Sequence, residues 1–172
     1  NNAENAHHVV VAAFADATPT THLDGFTITG GNANGSEFVM INGQNIFRET
    51  GGGIYTFFGT NTMTNNTISG NSASGGGGIR TLRGTNTMTN NTISGNIASY
   101  GGGIYTFFGT NTMTNNTISG NSASVDGGGI YTEEGTNTLI NNTISGNVAN
   151  SGGGIYTDSG NNTIANSIIW GN

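Results

Sequence analysis

Carboxylates are the residues of this sequence whose type and spacing best suit chemistry. Glu133 and Glu134 are adjacent, and Asp158 follows Glu133 at a distance of 25 positions. Brought together, the three would form an acidic corner able to bind Ca²⁺ or to work as acid and base through a raised pKa. No recognisable lyase or hydrolase motif surrounds them, so a solvated charged corner is the simpler interpretation. We therefore predict no catalytic residue and no cofactor, with Ca²⁺ at the acidic corner as the weaker alternative.

A set of aromatic residues forms a second candidate site. Tyr55 and Tyr105 stand 50 positions apart with Arg80 midway between them. An arginine stacked between aromatic rings gains about 0.5–1 kcal/mol from cation–π contact at an exposed site. Exposed pairs of phenylalanine often mark a contact surface, which leaves a stabilising ladder, a protein contact and glycan binding as interpretations. This aromatic ridge comprises Tyr55, Phe57, Phe58, Arg83, Tyr105, Phe107 and Phe108.

Alternating threonines form a third candidate. In the segment 60–64, Thr60, Thr62 and Thr64 flank Met63, so an inward methionine turns the threonines outward. Repeated on neighbouring strands, they form a flat Thr grid with spacings of about 4.8 Å and roughly 6.6 Å. Such grids resemble those of ice-binding proteins, although threonine also simply suits an exposed strand. The grid also contains Thr85, Thr87, Thr89, Thr110, Thr112, Thr114, Thr136 and Thr138 and is interrupted at Ile140, Asn161 and Ala165.

An internal repeat must position all three candidates. A block of 24 residues from Gly51 to Ser74 recurs letter for letter from Gly101 to Ser124. A fixed period of this length indicates a solenoid, because propeller blades need roughly 40 residues or more. The content of Gly, Asn and Thr excludes helical repeats. The repeat carries three apolar columns: Ile54, Ile79, Ile104, Ile130 and Ile155; Met63, Met88, Met113, Leu139 and Ile164; Ile68, Ile93, Ile118, Ile144 and Ile169.

These columns predict the fold. Each repeat contains three short segments with the period-two alternation of β-strands, and only stacked repeats can bury their apolar sides. We predict an all-β solenoid of about six coils, about 25 residues per coil, with three short parallel sheets around a narrow core. Leu23 and Ile28 start two columns one coil earlier, before an interruption from Asn34 to Thr50. Residues 1–172 form one predicted domain, with irregular coils in 1–50 and regular repeats in 51–172.

Asparagine and glycine also recur in columns. Stacked amides can hydrogen-bond from coil to coil at the strand spacing. Three such columns begin at Asn61, Asn65 and Asn71. Glycine tolerates the left-handed backbone of tight corners, which we predict at the corner glycines. These are Gly59, Gly84, Gly109, Gly135 and Gly160.

Composition limits the class of partner. The chain of 172 residues has a net charge of −6, no lysine and three arginines, which argues against nucleic acid and anionic membrane surfaces. Its longest apolar run, Val9 to Ala15, is too short to span a bilayer. No signal peptide or initiator methionine is present, so we expect a processed product or part of a longer chain.

Three sequence features together resemble a known family. They are LDGFTITGGNANG from Leu23 to Gly35, the GGGI segments and the recurring NNTISGN. They resemble the right-handed parallel β-helix repeats of bacterial secreted proteins, in particular surface proteins related to polymorphic outer-membrane proteins and choice-of-anchor proteins. The resemblance implies a right-handed β-helix and a secreted or cell-surface location. The Phe-x-x-Asn motif of the outer-membrane relatives is replaced here by Thr-Ile-Ser-Gly-Asn, and no anchor region is visible.

The expected function is a non-catalytic extracellular structural or interaction module. It would be adhesin-like or would form fibres by end-to-end stacking, since the ends of a solenoid present unpaired strand edges. The expected partners are the protein itself, other surface proteins or glycans. An ice-binding protein and a polysaccharide-binding or polysaccharide-cleaving β-helix protein are the alternatives. The predicted end contacts are Val9, Val10, Val11, Ile168 and Trp170.

Overall fold

The computed structural model describes residues 6–16 and 18–172, and these residues form β-strands without any helix. No helix long and apolar enough to cross a membrane occurs in that part of the chain. The strands, in chain order, are β1 (Val10–Ala13), β2 (Thr20–Asp24), β3 (Thr27–Thr29), β4 (Asn32–Ala33), β5 (Phe38–Ile41), β6 (Gln44–Phe47), β7 (Ile54–Phe57), β8 (Thr60–Thr64), β9 (Thr67–Ser69), β10 (Ser72–Ala73), β11 (Ile79–Leu82), β12 (Thr85–Thr89), β13 (Thr92–Ser94), β14 (Ile97–Tyr100), β15 (Ile104–Phe107), β16 (Thr110–Thr114), β17 (Thr117–Ser119), β18 (Ser122–Asp126), β19 (Ile130–Glu133), β20 (Thr136–Ile140), β21 (Thr143–Ser145), β22 (Ile155–Asp158), β23 (Asn161–Ala165) and β24 (Ile168–Trp170).

The strands stack into parallel sheets that run the length of the solenoid. Sheet 1 has the order β1-β7-β11-β15-β19-β22, sheet 2 the order β2-β8-β12-β16-β20-β23, and sheet 3 the order β3-β9-β13-β17-β21-β24. A shorter sheet 4 has the order β4-β10-β14-β18. Each of sheets 1 to 3 therefore contributes one strand to each coil. Strands β5 and β6 form a separate antiparallel hairpin.

Successive coils stack in register. Ile79 pairs with Ile54 on one side and with Ile104 on the other, so identical positions of the repeat lie above one another. The next step, from Ile104 to Ile130, absorbs one extra residue without breaking the pairing. This register confirms the predicted right-handed parallel β-helix with about 25 residues per turn.

The core is a narrow column of aliphatic side chains between the sheets. Ile104, Met113 and Ile118 of one coil are completely buried, and their counterparts in the neighbouring coils pack directly against them. The three predicted apolar columns are therefore confirmed as inward-facing. Alternation along each short strand turns every second side chain inward, which is the reason the sequence pattern predicted them.

Sheet 4 departs from the predicted three sheets. Its strands follow the Asn71, Asn96 and Asn121 corners and turn only small side chains inward, such as Ala98 and Ala123. A column of alanines is a weaker apolar signal than a column of isoleucines, because it buries less surface. The sequence pattern therefore did not reveal this sheet.

Two of the predicted asparagine columns are buried ladders. The Asn61 Nδ2 donates to Asn86 Oδ1 at 2.9 Å, and Asn86 Nδ2 donates to Asn111 Oδ1 at 2.8 Å. In the second ladder, Asn96 Nδ2 donates both to Asn121 Oδ1 at 3.0 Å and to the Ile68 carbonyl at 2.9 Å. Because these amides are buried, every bond of the ladder also satisfies a polar group that water cannot reach.

The third predicted column stacks at a solvent-exposed corner, where Asn90 Nδ2 donates to Asn65 Oδ1 at 3.4 Å. Asn65, Asn90 and Asn115 adopt left-handed φ values of 56–57° and are exposed at the corners. The residue after each of them turns inward, so that Asn91 Nδ2 donates to Asn116 Oδ1 at 3.0 Å. This third buried ladder consists of Asn66, Asn91, Asn116 and Asn142 and ends at the Ser167 hydroxyl.

The predicted left-handed backbone is at Gly59 but not at the other corner glycines. In the later coils the residue before the glycine has the positive φ, for example 56° at Arg83 and 53° at Phe108. Glycine is needed for a different reason, since a Cβ on Gly109 would lie 2.5 Å from Thr81 Cγ2. The corner glycines after Gly59 therefore allow close approach between coils.

The interruption between Asn34 and Thr50 contains the hairpin. Asn42 and Gly43 form its two-residue turn with φ values of 50° and 75°, as a type I′ turn requires. Ile46 is completely buried and packs in one cluster with Tyr55 and Phe57. The hairpin therefore covers the outer face of sheet 1 at β7.

Candidate functional site

The hairpin covers Tyr55 and Phe57, the first two residues of the predicted aromatic ridge. Tyr55 and Phe57 were predicted as lateral contact residues, but both are buried. Ile46 packs against them, with Val39 and Ile41 at the margin of the cluster. The prediction is therefore wrong for these two residues, because the inserted segment folds back over them.

The tyrosine column of sheet 1 is a structural ladder. The Arg80 guanidinium carbon lies 4.4 Å from the ring centre of Tyr105 and 6.0 Å from that of Tyr55. The rings of Tyr131 and Tyr156 stack at 5.6 Å in the last two coils. Burial, followed by the charges of nearby carboxylates, raises the pKa of Tyr131 to about 12. The ladder interpretation is therefore confirmed for this column.

The remaining ridge residues are accessible to solvent. Phe58, Tyr105 and Phe107 are half-buried, whereas Arg83 and Phe108 are exposed. The rings of Phe107 and Phe108 are 4.5 Å apart, and the Arg83 guanidinium carbon lies 5.6 Å from the Phe108 ring centre. An accessible aromatic surface with one cation thus lies at the corner between sheets 1 and 2.

The acidic corner is only partly assembled. Glu133 and Asp158 are partners in the register of β19 and β22, while the exposed Glu134 occupies the corner itself. Glu133 accepts a hydrogen bond from the Tyr105 hydroxyl. Burial, then this hydrogen bond, raises the pKa of Tyr105 well above its usual range. Among residues 6–16 and 18–172, no group of three or more His, Cys, Asp or Glu is close enough to hold a metal ion.

A groove of about 360 Å³ lies between the hairpin and the aromatic ridge. We call it the hairpin groove; it is lined by Gly43, Gln44, Asn45, Phe47, Phe57, Leu82, Arg83 and Phe107. The repeat pattern does not predict this site, because one of its walls comes from the interruption. The signal that could have indicated a hairpin is Asn42-Gly43 between two apolar segments. This dipeptide does not indicate which surface of the solenoid the hairpin packs against.

The Thr grid is present and in register on sheet 2. Thr87 pairs with Thr62 and Thr112, and all three point away from the buried methionines. In the first coil His22 and Asp24 occupy the positions of Thr62 and Thr64. The regular part of the grid therefore covers four strands, β8, β12, β16 and β20, with Ile140 as its one apolar member.

The last coil exposes side chains that are buried elsewhere. Ile164 and Ile169 are 45% and 44% exposed, whereas their column neighbours Leu139 and Ile144 are completely buried. Ile168 and Trp170 of β24 are also exposed. We call the exposed end of the core the terminal coil face; it comprises Ile155, Ile164 and Ile169, whereas Ile168 and Trp170 are in register with Thr143 and Ser145 on the outer side of sheet 3.

The predicted contacts in the first coil are less accessible. Val9 is exposed, as expected, but Val10 and Val11 are half-buried. Val10 packs against the main aliphatic core, and Val11 packs against the cluster beneath the hairpin. The two valines thus anchor β1 to the second coil.

Comparison with known families agrees with this architecture. The family described as "Right handed beta helix region" matches residues 21–172. Comparison with curated proteins gave no match, and comparison with solved structures gave none either. The family match covers most of the chain and all the regular coils. The chain therefore belongs to the right-handed β-helix family.

Proposed function

We propose that this protein is a non-catalytic structural and interaction module that assembles end to end. The fold is consistent with structural or polysaccharide-binding roles. The observation that carries the proposal is the terminal coil face, where Ile164 and Ile169 are exposed in columns whose middle members are completely buried; a second copy or a following coil of a longer chain would cover this face equally well. An apolar surface of this kind marks an interaction site.

Another coil fits the terminal coil face in both shape and hydrogen bonding. The edges of β22, β23 and β24 are paired on one side only. A strand edge of this kind templates the addition of a further strand. Ile164 and Ile169 are 45% and 44% exposed, so covering the rest of either side chain contributes about 1 kcal/mol. A coil that supplies three strands at the same spacing would gain both contributions at once.

The first coil of a second copy supplies that partner. Its inward residues Val10, Leu23 and Ile28 occupy the same three columns as Ile54, Met63 and Ile68. Head-to-tail stacking would therefore continue the columns of the half-buried Val10 and Leu23, whereas Ile28 is already buried within its own copy. Such a contact joins two different surfaces and does not close, so it generates a filament.

Self-association is tested by replacing Ile169 with aspartate. We expect the unmodified protein to form oligomers that grow with concentration in sedimentation velocity and filaments in electron micrographs. Ile169→Asp should remain a folded monomer, because a charge in the terminal column would have to be buried between copies.

Ile97→Asp serves as the control, since Ile97 is exposed on the side of the solenoid and its strand β14 lies between β10 and β18, away from both ends. It should assemble normally, with the same circular dichroism spectrum as Ile169→Asp. A strictly monomeric protein at about 100 μM, far above the Kd of a useful assembly contact, would contradict the proposal.

We propose further that the module works at the cell surface or outside the cell. The support is the resemblance of the GGGI and NNTISGN repeats to bacterial surface proteins. An adhesin-like role fits a rigid rod that presents side surfaces along its length. The absence of lysine and the net charge of −6 favour partners other than nucleic acid.

Ice binding is a second candidate, supported by the register of the Thr grid. Thr62, Thr87 and Thr112 lie directly above one another on adjacent strands. If the grid binds ice, the protein should show thermal hysteresis, and Thr87→Tyr with Thr112→Tyr should abolish it by disrupting the flat face. Thr117→Tyr on sheet 3 is the matched control and should keep the activity. An unmodified protein without hysteresis or recrystallisation inhibition would exclude this function.

A further inference from the structure

We infer that the hairpin groove binds one or two rings of a neutral glycan. This site goes beyond the proposed assembly function, because its walls belong to β6, β7, β11 and β15 whereas the terminal coil face belongs to β22, β23 and β24. The groove therefore shares no residue with the terminal coil face.

The lining of the groove combines the two kinds of group that a sugar ring needs. Phe47, Phe57 and Phe107 supply apolar ring surface, which suits the C–H faces of a pyranose. Gln44 and Asn45 supply amides that both donate and accept hydrogen bonds, as hydroxyl groups require. A pocket with an apolar lining and a few polar groups is typical of a small-molecule site.

The charges around the groove favour a neutral ligand over an acidic one. Arg83 is the one charged residue in the lining, and its guanidinium also contacts the Phe108 ring. On the next strand of sheet 1, Glu133 occupies the position of Phe107, and Glu134 is the corner residue directly after Glu133. A polyanion lying along the coils would meet these carboxylates within two strands of Arg83, at about 4.8 Å per strand. The guanidinium therefore serves as a hydroxyl donor.

The groove is formed before any ligand arrives. Ile46 anchors the hairpin from beneath in the cluster with Phe57 and Leu82. At the turn, Asn42 Nδ2 donates a 2.9 Å hydrogen bond to the Ala13 carbonyl. A wall held at both points needs little ordering when a ligand binds, which lowers the entropic cost. The volume of about 360 Å³ is at the lower end of the range for small-molecule sites.

The test is titration with defined oligosaccharides, followed by ¹H–¹⁵N NMR and calorimetry. The neutral probes are maltoheptaose, cellohexaose, mannohexaose and xylohexaose, and the acidic probe is trigalacturonate. We expect at least one neutral probe to bind, with shifts confined to the amide signals of the hairpin and of the three ridge strands. Phe47→Ala and Arg83→Ala should each weaken that binding about tenfold, equivalent to the loss of one good contact.

The matched control is Phe26→Ala, which removes an equally exposed phenylalanine outside the groove. Phe26 is 55% exposed and Phe47 44% exposed, so neither replacement should affect folding. Phe26→Ala should leave the affinity unchanged. No binding of any neutral probe at about 10 mM, or binding that Phe47→Ala and Arg83→Ala leave intact, would overturn the inference. Tighter binding of trigalacturonate than of every neutral probe would overturn the assignment of a neutral ligand. None of these outcomes depends on self-association.

Discussion

Replacing Ile104 with aspartate should prevent the solenoid from folding. Ile104 is completely buried in the middle of the stack, between Ile79 and Ile130 of the same column. The change removes aliphatic packing and places a carboxylate where no cation or water can reach it. Together these effects should cost about 5 kcal/mol or more, comparable with the entire stability of a typical domain. The expected result is loss of the β-sheet circular dichroism signal and of the cooperative thermal transition.

Ile97→Asp is the matched control for this experiment. Ile97 has the same side chain one coil earlier, but it is 59% exposed on sheet 4. This variant should melt within a few degrees of the unmodified protein, since surface changes usually alter stability by less than about 0.5 kcal/mol. If Ile104→Asp melts like Ile97→Asp, the assignment of the inward column is wrong.

Asn116→Ala should destabilise the protein by about 3–5 kcal/mol, because it leaves several buried polar groups unpaired. The Asn116 Oδ1 accepts from both the backbone and the side-chain nitrogen of Asn91, at 2.8 and 3.0 Å. Its Nδ2 donates to the Met88 carbonyl and to Asn142 Oδ1, both at 3.0 Å. Urea denaturation followed by circular dichroism measures the loss of free energy.

The neighbouring residue supplies the control. Asn115 has a φ of 57° and is exposed, so Asn115→Gly keeps the corner backbone and removes only a solvated amide. We expect a change in the free energy of unfolding within about 0.5 kcal/mol. If the two variants lost the same free energy of unfolding, the buried hydrogen bonds of Asn116 would contribute nothing beyond those of the exposed Asn115, and the prediction would be wrong.

The sequence predicted the repeat architecture well, because a parallel solenoid places each residue above its counterpart in the next coil. The spacing of Ile54, Ile79 and Ile104 therefore equals the length of a coil, and the alternation around Met63 identifies the inward side. The ladders that begin at Asn61 and Asn71 were predictable for the same reason. The residues of one column have the same environment in every regular coil. A residue type that recurs at one position of the repeat therefore indicates whether that position is inside or outside.

The choice between adjacent asparagines was not predictable from spacing alone. Asn65 and Asn66 have the same period and the same side chain, so both columns fit the repeat equally well. The left-handed backbone at Asn65 turns its side chain to solvent and the next one inward. That conformation lies at the corner where the chain leaves β8 of sheet 2 and enters β9 of sheet 3.

The hairpin shows most clearly what only the tertiary structure decided. Asn42-Gly43 predicts a turn from local backbone preferences alone. Docking of that turn depends on Ile46 meeting Tyr55 and Phe57, a contact made by only one copy of the repeat among the described residues. This contact buries two residues predicted to be accessible and builds the hairpin groove beside them. The repetitive sequence thus determined the coil, the core and two of the buried ladders through local periodicity, whereas the burial of Tyr55 and Phe57 and the groove beside them were decided by one non-repeating segment through long-range packing.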